Sequence, residues 1–197
     1  MRRLLLVCVA GALAACGGGG DGGGGGGGGT TAVTVTGPLA TQANNASAAM
    51  GTAACSGLAA NYILIGASTY PELCSLSQTG DEKGNATIVS IAVVTFSATG
   101  SPAPITAGTY ALGTTATQSV SAFVSRNDAS CNETDESGDS GTVTISSISN
   151  GTVSGSLDVS ITGGRITGTF AGAPCAVAGI TDVCSRSGVP HTDVCRP

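Results

Sequence analysis

The 197-residue sequence is poor in the side chains from which most binding and catalytic sites are built. It contains no tryptophan and one histidine, and only 3% of its residues are aromatic and 10% charged. Seven residues are lysine or arginine, and the formal net charge is −5. Proteins that bind nucleic acid through its phosphates need clustered basic side chains, so nucleic acid is excluded as a partner. The scarcity of histidine and charge also disfavours general acid–base catalysis. We therefore expect a protein that is not an enzyme and carries no cofactor.

The first residues have the features of an export signal. Arg2 and Arg3 precede an apolar run from Leu4 to Ala15. This run is shorter than the about 20 apolar residues that a membrane-spanning helix needs. A basic start, a short apolar run and small residues at its end predict a secretory signal peptide over residues 1–15.

The end of this signal resembles the lipobox of bacterial lipoproteins. The residues that carry the resemblance are Leu13-Ala14-Ala15-Cys16. The resemblance implies cleavage before Cys16, a diacylglyceryl group on its thiol and a palmitate-type acyl chain on the new amino terminus. Several chains are needed because one acyl chain gives only marginal membrane binding. With Gly17 following the lipidated cysteine, the resemblance implies an anchor in the outer membrane, with the protein facing either the periplasm or the cell surface.

A glycine tract separates this anchor from the rest of the chain. Residues 17–29 are all glycine except Asp21. Glycine has the largest conformational entropy to lose on ordering and no side chain to bury, so the tract is expected to be a flexible linker. The predicted organisation is a signal peptide over 1–15, a lipidated cysteine and tether over 16–30, and one disulfide-bonded β domain over 31–197.

Alternating apolar and polar residues predict that this domain consists mainly of strands. Residues 40–61 lack clear periodicity and are expected to form a loop or a weak helix. A proline and a glycine at its two ends indicate one or two helical turns between Pro71 and Gly80. The predicted strands before the last third of the chain are Tyr62–Ile65, Thr87–Phe96, Gly108–Leu112 and Ser119–Ser125.

The segment from 141 to 171 has the clearest pattern. Asn150-Gly151 is a strong hairpin signal, and Gly163-Gly164 marks a second turn. Gly155 and Gly168 occupy matching positions in the two following strands, where we expect a curved sheet or a close approach of another segment. The predicted fold class is therefore all-β and mainly antiparallel, a small barrel or sandwich of about seven or eight strands with one short helix.

Six cysteines follow the predicted lipidation site. Because an exported chain with an even number of cysteines forms disulfides, we expect three of them among Cys55, Cys74, Cys131, Cys175, Cys184 and Cys195. Six cysteines allow 15 pairings. Short loops favour Cys55 with Cys74 and Cys184 with Cys195, which leaves Cys131 with Cys175. A zinc site of Cys175, Cys184, His191 and Cys195 is the alternative, but its spacings match no zinc knuckle.

Two further motifs contain side chains that could bind a metal ion or act in catalysis. Glu133, Asp135, Glu136 and Asp139 form an acidic run that could hold Ca²⁺ weakly, although the EF-hand spacing is absent. Gly138-Asp139-Ser140-Gly141 resembles the nucleophile motif of chymotrypsin-like proteases, but that family requires a histidine earlier in the chain. His191, the only histidine, is near the end, so the sequence predicts neither a catalytic residue nor a firm metal site.

Several segments together resemble a loose group of glycine-tethered lipoproteins common in myxobacteria. They are the lipobox, the glycine tract, Tyr62–Ile65 followed by Leu73-Cys74, residues 105–110 and residues 141–175. The resemblance covers roughly the first 175 residues and implies a β scaffold with no particular activity.

We therefore expect a lipid-anchored envelope protein that displays a non-enzymatic binding or structural β module to an unknown protein or small molecule. The alternative is a barrel with a small apolar ligand in its lumen, where Gly155 and Gly168 would leave room. A hydrolase that uses a serine or acidic residues is a remote alternative, and Ser140 is the residue whose substitution would test it.

Overall fold

The computed structural model describes residues 30–176, 180–184 and 194–197. It contains one helix among many strands, as the sequence predicts. The elements are β1 (Ala32–Thr36), β2 (Thr41–Ala43), β3 (Asn45–Cys55), β4 (Leu58–Ser68), α1 (Leu73–Thr79), β5 (Glu82–Lys83), β6 (Thr87–Ser97), β7 (Gly108–Ala111), β8 (Gly113–Thr114), β9 (Gln118–Asn127), β10 (Glu133–Ser149), β11 (Thr152–Ile161), β12 (Gly164–Pro174) and β13 (Cys195–Arg196).

Seven of these strands close into a barrel in the order β11-β10-β9-β6-β4-β3-β12, with β12 pairing again with β11. All neighbours in this ring are antiparallel except β12 and β3, which pair in parallel through Ala173 with Ser47 and Pro174 with Ala48. The prediction of a mainly antiparallel β fold is confirmed, and of the two architectures it left open the structure is the barrel. Short outer strands pair along the edges, β7 on β10 and β8 on β9.

Branched aliphatic side chains fill the barrel interior. Along β11 the burial alternates strictly, so every second side chain points inward, which is the period of a strand with one buried face. Phe170 is the one fully buried aromatic residue of this core. The inward side chains, each at most 4% exposed, are Ile63, Ile65, Val89, Ile91, Val93, Val120, Val124, Val143, Ile145, Val153, Leu157, Val159, Ile161, Ile166 and Phe170.

The β1–β2 hairpin packs at one end of the barrel. β1 pairs with β12 and β2 pairs with β1, and Leu39 and Ala43 join the interior core. The guanidinium Nη2 of Arg126, on β9, donates to the carbonyl oxygen of Ala40 at 2.9 Å. Because β9 lies nearly opposite β12 in the ring, this hydrogen bond ties the hairpin across the barrel end.

The turns and the helix follow the local signals in the sequence. Asn150 and Gly151 both have positive φ, 50° and 80°, as the predicted two-residue hairpin turn between β10 and β11 requires. Helix α1 ends at Gly80, which adopts the left-handed conformation and donates its backbone N–H to the carbonyl oxygen of Leu76. Both predictions are confirmed. Within the described residues, no helix has the length and apolar character needed to cross a bilayer.

The prediction of a loop or weak helix over residues 40–61 is wrong. This segment forms β2, β3 and the start of β4, and β3 pairs with β4 over its whole length. Alanine and glycine have low intrinsic strand preference, so pairing with a strong neighbouring strand decides the conformation. Gly51 leaves room for the side chain of Tyr62 on the neighbouring strand, because a Cβ atom there would lie 2.7 Å from the tyrosine hydroxyl oxygen.

Gly155 and Gly168 lie where backbones approach closely, as expected. A Cβ atom on Gly168 would lie 2.0 Å from the carbonyl oxygen of Ala32, and its φ is +133°. A Cβ atom on Gly155 would lie 2.0 Å from the carbonyl oxygen of Thr144 and 2.7 Å from the ring of Phe170. The expectation that these glycines leave room in the lumen is wrong, because Phe170 and neighbouring backbone occupy that space.

Replacing Gly168 with alanine should destabilise the protein by about 3 kcal/mol or more, because the substitution adds both backbone strain and a clash with β1. Equilibrium unfolding in urea under oxidising conditions measures this loss. Gly100→Ala is the matched control, since a Cβ atom there has no neighbour within 4 Å, and its effect should stay within about 0.5 kcal/mol. Equal effects of the two substitutions would contradict the close approach of β1 and β12.

Candidate functional site

One outer face of the barrel is apolar, although outer faces of small barrels usually meet water. On β4 and β6, Tyr62, Val94 and Phe96 are buried and point away from the lumen. Farther along the same face, Ala86 and Ile88 pack with Tyr70 and Leu73. A sheet face of this composition must be covered to remove it from water.

Helix α1 covers one part of this face. The side chain of Leu73 sits over Gly66 of β4, where a Cβ atom would lie 2.5 Å from its Cδ2. Glycine at this position lets the helix approach the sheet closely.

The segment 180–184 covers another part. Its Thr181 carbonyl oxygen accepts from the N–H of Ala54 at 3.0 Å, and its Val183 N–H donates to the Ala54 carbonyl oxygen at 2.8 Å. Val183 is buried against Tyr62 and Phe96. The two covers lie on the same side of the barrel wall.

The structure contains three disulfides, of which the first two link these covers to the barrel. The pairs are Cys55–Cys184, Cys74–Cys175 and Cys131–Cys195. The prediction that the six cysteines form three disulfides is confirmed, and all three predicted pairings are wrong. Cys175, Cys184 and Cys195 each belong to a different disulfide, so the alternative zinc set has no free thiols.

The predicted pair of Cys55 and Cys74 fails for a geometric reason. Cys55 pairs with Leu58 at the start of β4, whereas Leu73, next to Cys74, sits over Gly66. Leu58 and Gly66 are eight residues apart, which corresponds to about 25 Å of strand, and a disulfide requires Cα atoms within about 7 Å. Proximity in sequence was a poor guide because a long strand lies between the two cysteines.

The third disulfide holds a two-stranded ribbon beside the covered face. β13 pairs in parallel with β5, matching Cys195 with Glu82 and Arg196 with Lys83. The guanidinium Nε of Arg196 lies 2.5 Å from Oδ2 of Asp81, whose side chain is only 5% exposed. Cys131 fastens this ribbon to the start of β10.

A cavity of about 100 Å³ lies between these elements and the barrel wall. We name it the covered cavity. Leu64, Ile88, Ala92 and Phe123 form its floor, while Leu76 and Ile180 come from the two covers. The remaining lining residues include hydroxyls and charged groups, among them Ser77, Ser90, Ser125, Asp81, Glu82, Lys83, Glu133 and Asp182.

Tyr70 borders the cavity and is buried. Burial raises the pKa of its phenol far above the usual value of 10, and the nearby carboxylates of Glu72 and Glu82 raise it further. Both effects disfavour a phenolate in this environment. Tyr70 therefore stays neutral and contributes an apolar ring to the wall.

The structure does not assemble the acidic run into a metal site. Its four residues lie on β10, and the pairing of β10 with β11 shifts register between Gly138 and Ser140. Successive side chains of a strand point to opposite faces of the sheet. Asp135 pairs with Ser125, whose side chain lines the covered cavity, while Glu136 pairs with Val124 of the interior core. No group of three or more His, Cys, Asp or Glu among the described residues is arranged to hold a metal ion.

Other sequence candidates are separated in the same way. Asp139 and Ser140 are exposed on β10, and His191 lies outside the described residues. Cys16 and the glycine tether also lie outside them. The structure therefore brings together the cysteines and the apolar outer face, and it leaves the protease-like motif as an exposed strand segment.

The covered cavity was not foreseen from the sequence. A signal was nevertheless present in β6, where six consecutive residues from Ile91 to Phe96 are buried. A strand buried on one face alternates, whereas a strand buried on both reads as a continuous apolar run. The run Ile91-Ala92-Val93-Val94 thus indicates a second buried face, although it does not reveal what covers that face.

Comparison with known proteins gave no relationship: no family model, characterised protein or solved structure matches this chain. Arguments about the site therefore rest on its own residues.

Replacing both Cys74 and Cys175 with serine should loosen α1 while leaving the barrel strands in place. The loss should be about 2–4 kcal/mol, and amide hydrogen exchange should accelerate in α1 more than in β11 and β12. The double substitution avoids leaving an unpaired thiol. Uniform acceleration across the whole barrel would contradict the view that this disulfide fastens a cover.

Alkaline pH should destabilise the protein through Tyr70. The pKa of Tyr70 is higher in the folded state than the unfolded value of about 10. The stability that its buried neutral phenol contributes is therefore fully present below pH 10 and is lost as the pH rises beyond that value. A difference of one bound proton between the folded and unfolded states changes the free energy of unfolding by about 1.4 kcal/mol per pH unit. Unfolding free energies measured between pH 9 and about pH 11 for wild type and Tyr70→Phe should diverge by that slope. Parallel curves would show that Tyr70 is not buried as described.

Proposed function

We propose that this protein is a lipid-anchored module of a bacterial envelope, held on the outer membrane by Cys16 and acting by binding rather than catalysis. The observation that carries the proposal is the set of three disulfides. Disulfides persist in oxidising compartments and are rare in the cytosol, so they indicate an extracytoplasmic protein.

The sequence before the domain supports the finer parts of the proposal. The signal-like start and the lipobox supply a route across the inner membrane and a lipid anchor. The thirteen-residue tract that follows, all glycine except Asp21, is predicted from its composition to be a flexible linker, which would let the barrel stand roughly 20 Å from the lipid surface on average. The barrel would then be displayed at a distance from the membrane.

The composition of the domain supports binding over catalysis. Asp139 and Ser140 are exposed on a strand, and no described histidine accompanies them. A serine hydroxyl without an adjacent base is a weak nucleophile. The described features that resemble a site are instead a cavity, its covers and the disulfides that hold them, which suits a protein that recognises a partner.

Cys16→Ala should abolish lipid attachment and release the protein from the membrane. In cells fed a labelled fatty acid, the wild-type protein should carry the label and sediment with membranes. The matched control is Cys8→Ala, because Cys8 lies within the predicted signal peptide and should leave labelling unchanged. An unlabelled wild-type protein in the soluble fraction, or labelling that survives Cys16→Ala, would overturn the proposed anchor.

A further inference from the structure

We propose that the covered cavity binds a small, mainly apolar molecule with one uncharged polar head group. This inference rests on the proposed binding role of the domain and assigns that role to a specific place outside the barrel lumen.

The size and floor of the cavity set the class of ligand. Its volume is about 100 Å³, and an apolar cavity of about 150 Å³ in another protein stays free of water and binds benzene. The floor formed by Leu64, Ile88, Ala92 and Phe123 offers contacts to hydrocarbon. Because the cavity is smaller than that one, a ligand that it encloses is no larger than a single ring or a short alkyl chain.

Hydroxyl groups at the wall can orient such a ligand. Ser77 and Ser125 are buried, with 8% and 3% of their surface exposed, and both line the cavity together with Ser90. Small-molecule sites commonly combine an apolar lining with a few placed polar groups. These hydroxyls can accept from or donate to one polar group on the ligand.

The walls are held in place by covalent bonds. Cys74–Cys175 fastens the helical cover, Cys55–Cys184 fastens the segment 180–184, and Cys131–Cys195 fastens the ribbon that carries Glu82 and Lys83. A site whose walls are already fixed loses less conformational entropy on binding. Each of the three disulfides thus fastens an element that contributes to the wall of the cavity.

The test uses three molecules with the same six-carbon chain: hexanol, hexylamine and hexanoate. The protein is the exported full chain carrying Cys16→Ala, which can be purified without detergent. Hexanol should give saturable amide chemical-shift changes centred on Ser77, Ser90 and Ala92. Hexylamine and hexanoate carry a charge that would lose water on entering a mainly apolar cavity, so each should bind at least about tenfold more weakly, a difference of about 1.4 kcal/mol.

Filling the cavity should remove binding. Ala92→Leu extends a side chain from the floor into the space, and Ser90→Leu does so from a neighbouring position on β6, which keeps the test valid if one variant misfolds. Each should weaken hexanol binding at least about tenfold. The matched control is Ala59→Leu on β4, an exposed strand position that does not line the cavity. This variant should bind hexanol as tightly as the chain without a cavity-filling substitution.

Three results would overturn the proposal. They are the absence of saturable shifts with every probe, shifts that map to another surface, or unchanged binding in folded Ala92→Leu and Ser90→Leu. Failure of the proposed anchor is distinguishable, because lipid attachment is measured on the wild-type chain and ligand binding on a chain that lacks the lipidated cysteine.

Discussion

The barrel depends on a short parallel joint between β3 and β12. Two residue pairs and the hydrogen bond from the N–H of Cys175 to the carbonyl oxygen of Ala48, 2.8 Å long, close the ring there. The other joints are antiparallel, and most are much longer. Without the joint, β3 and the end of β12 beyond its pairing with β1 would present open edges, which are liable to pair with other chains. Cys175 follows directly and is bonded to Cys74, so a covalent link reinforces the region where the ring is weakest.

Closure of the ring has a consequence for the outer surface. The lumen is narrow enough to be filled by valine, isoleucine and one phenylalanine, as expected for a small barrel. Most of the larger aromatic side chains, including Tyr62, Tyr70 and Phe96, therefore pack on the outside of the wall. That outer core is covered by one seven-residue helix and a short extended segment. Covers this small bury little surface by themselves, which explains why each is joined to the wall by a disulfide.

The same arrangement relates the scaffold to the proposed binding role. Disulfides that close loops of 129, 101 and 64 residues restrict the unfolded chain strongly. In the folded state they fix the boundary of the covered cavity. Stability and a preformed site thus have a common origin in this domain, and both require the oxidising compartment that the export signal predicts.

Local sequence signals determined a large part of this protein. The Asn150-Gly151 turn, the strand alternation of β11 and the glycine at the end of α1 are dictated by φ preferences and by side-chain period, so they could be predicted. The presence of disulfides could be predicted from the even number of cysteines together with the predicted export signal. Tertiary structure alone decided which cysteines meet, because strand length and ring order set those distances. It also decided that the alanine-rich segment from residue 45 is a strand, since pairing with β4 outweighs its weak intrinsic preference. The covered cavity is also a product of the tertiary structure, because it exists only where two segments distant in sequence fold back onto one wall of the barrel.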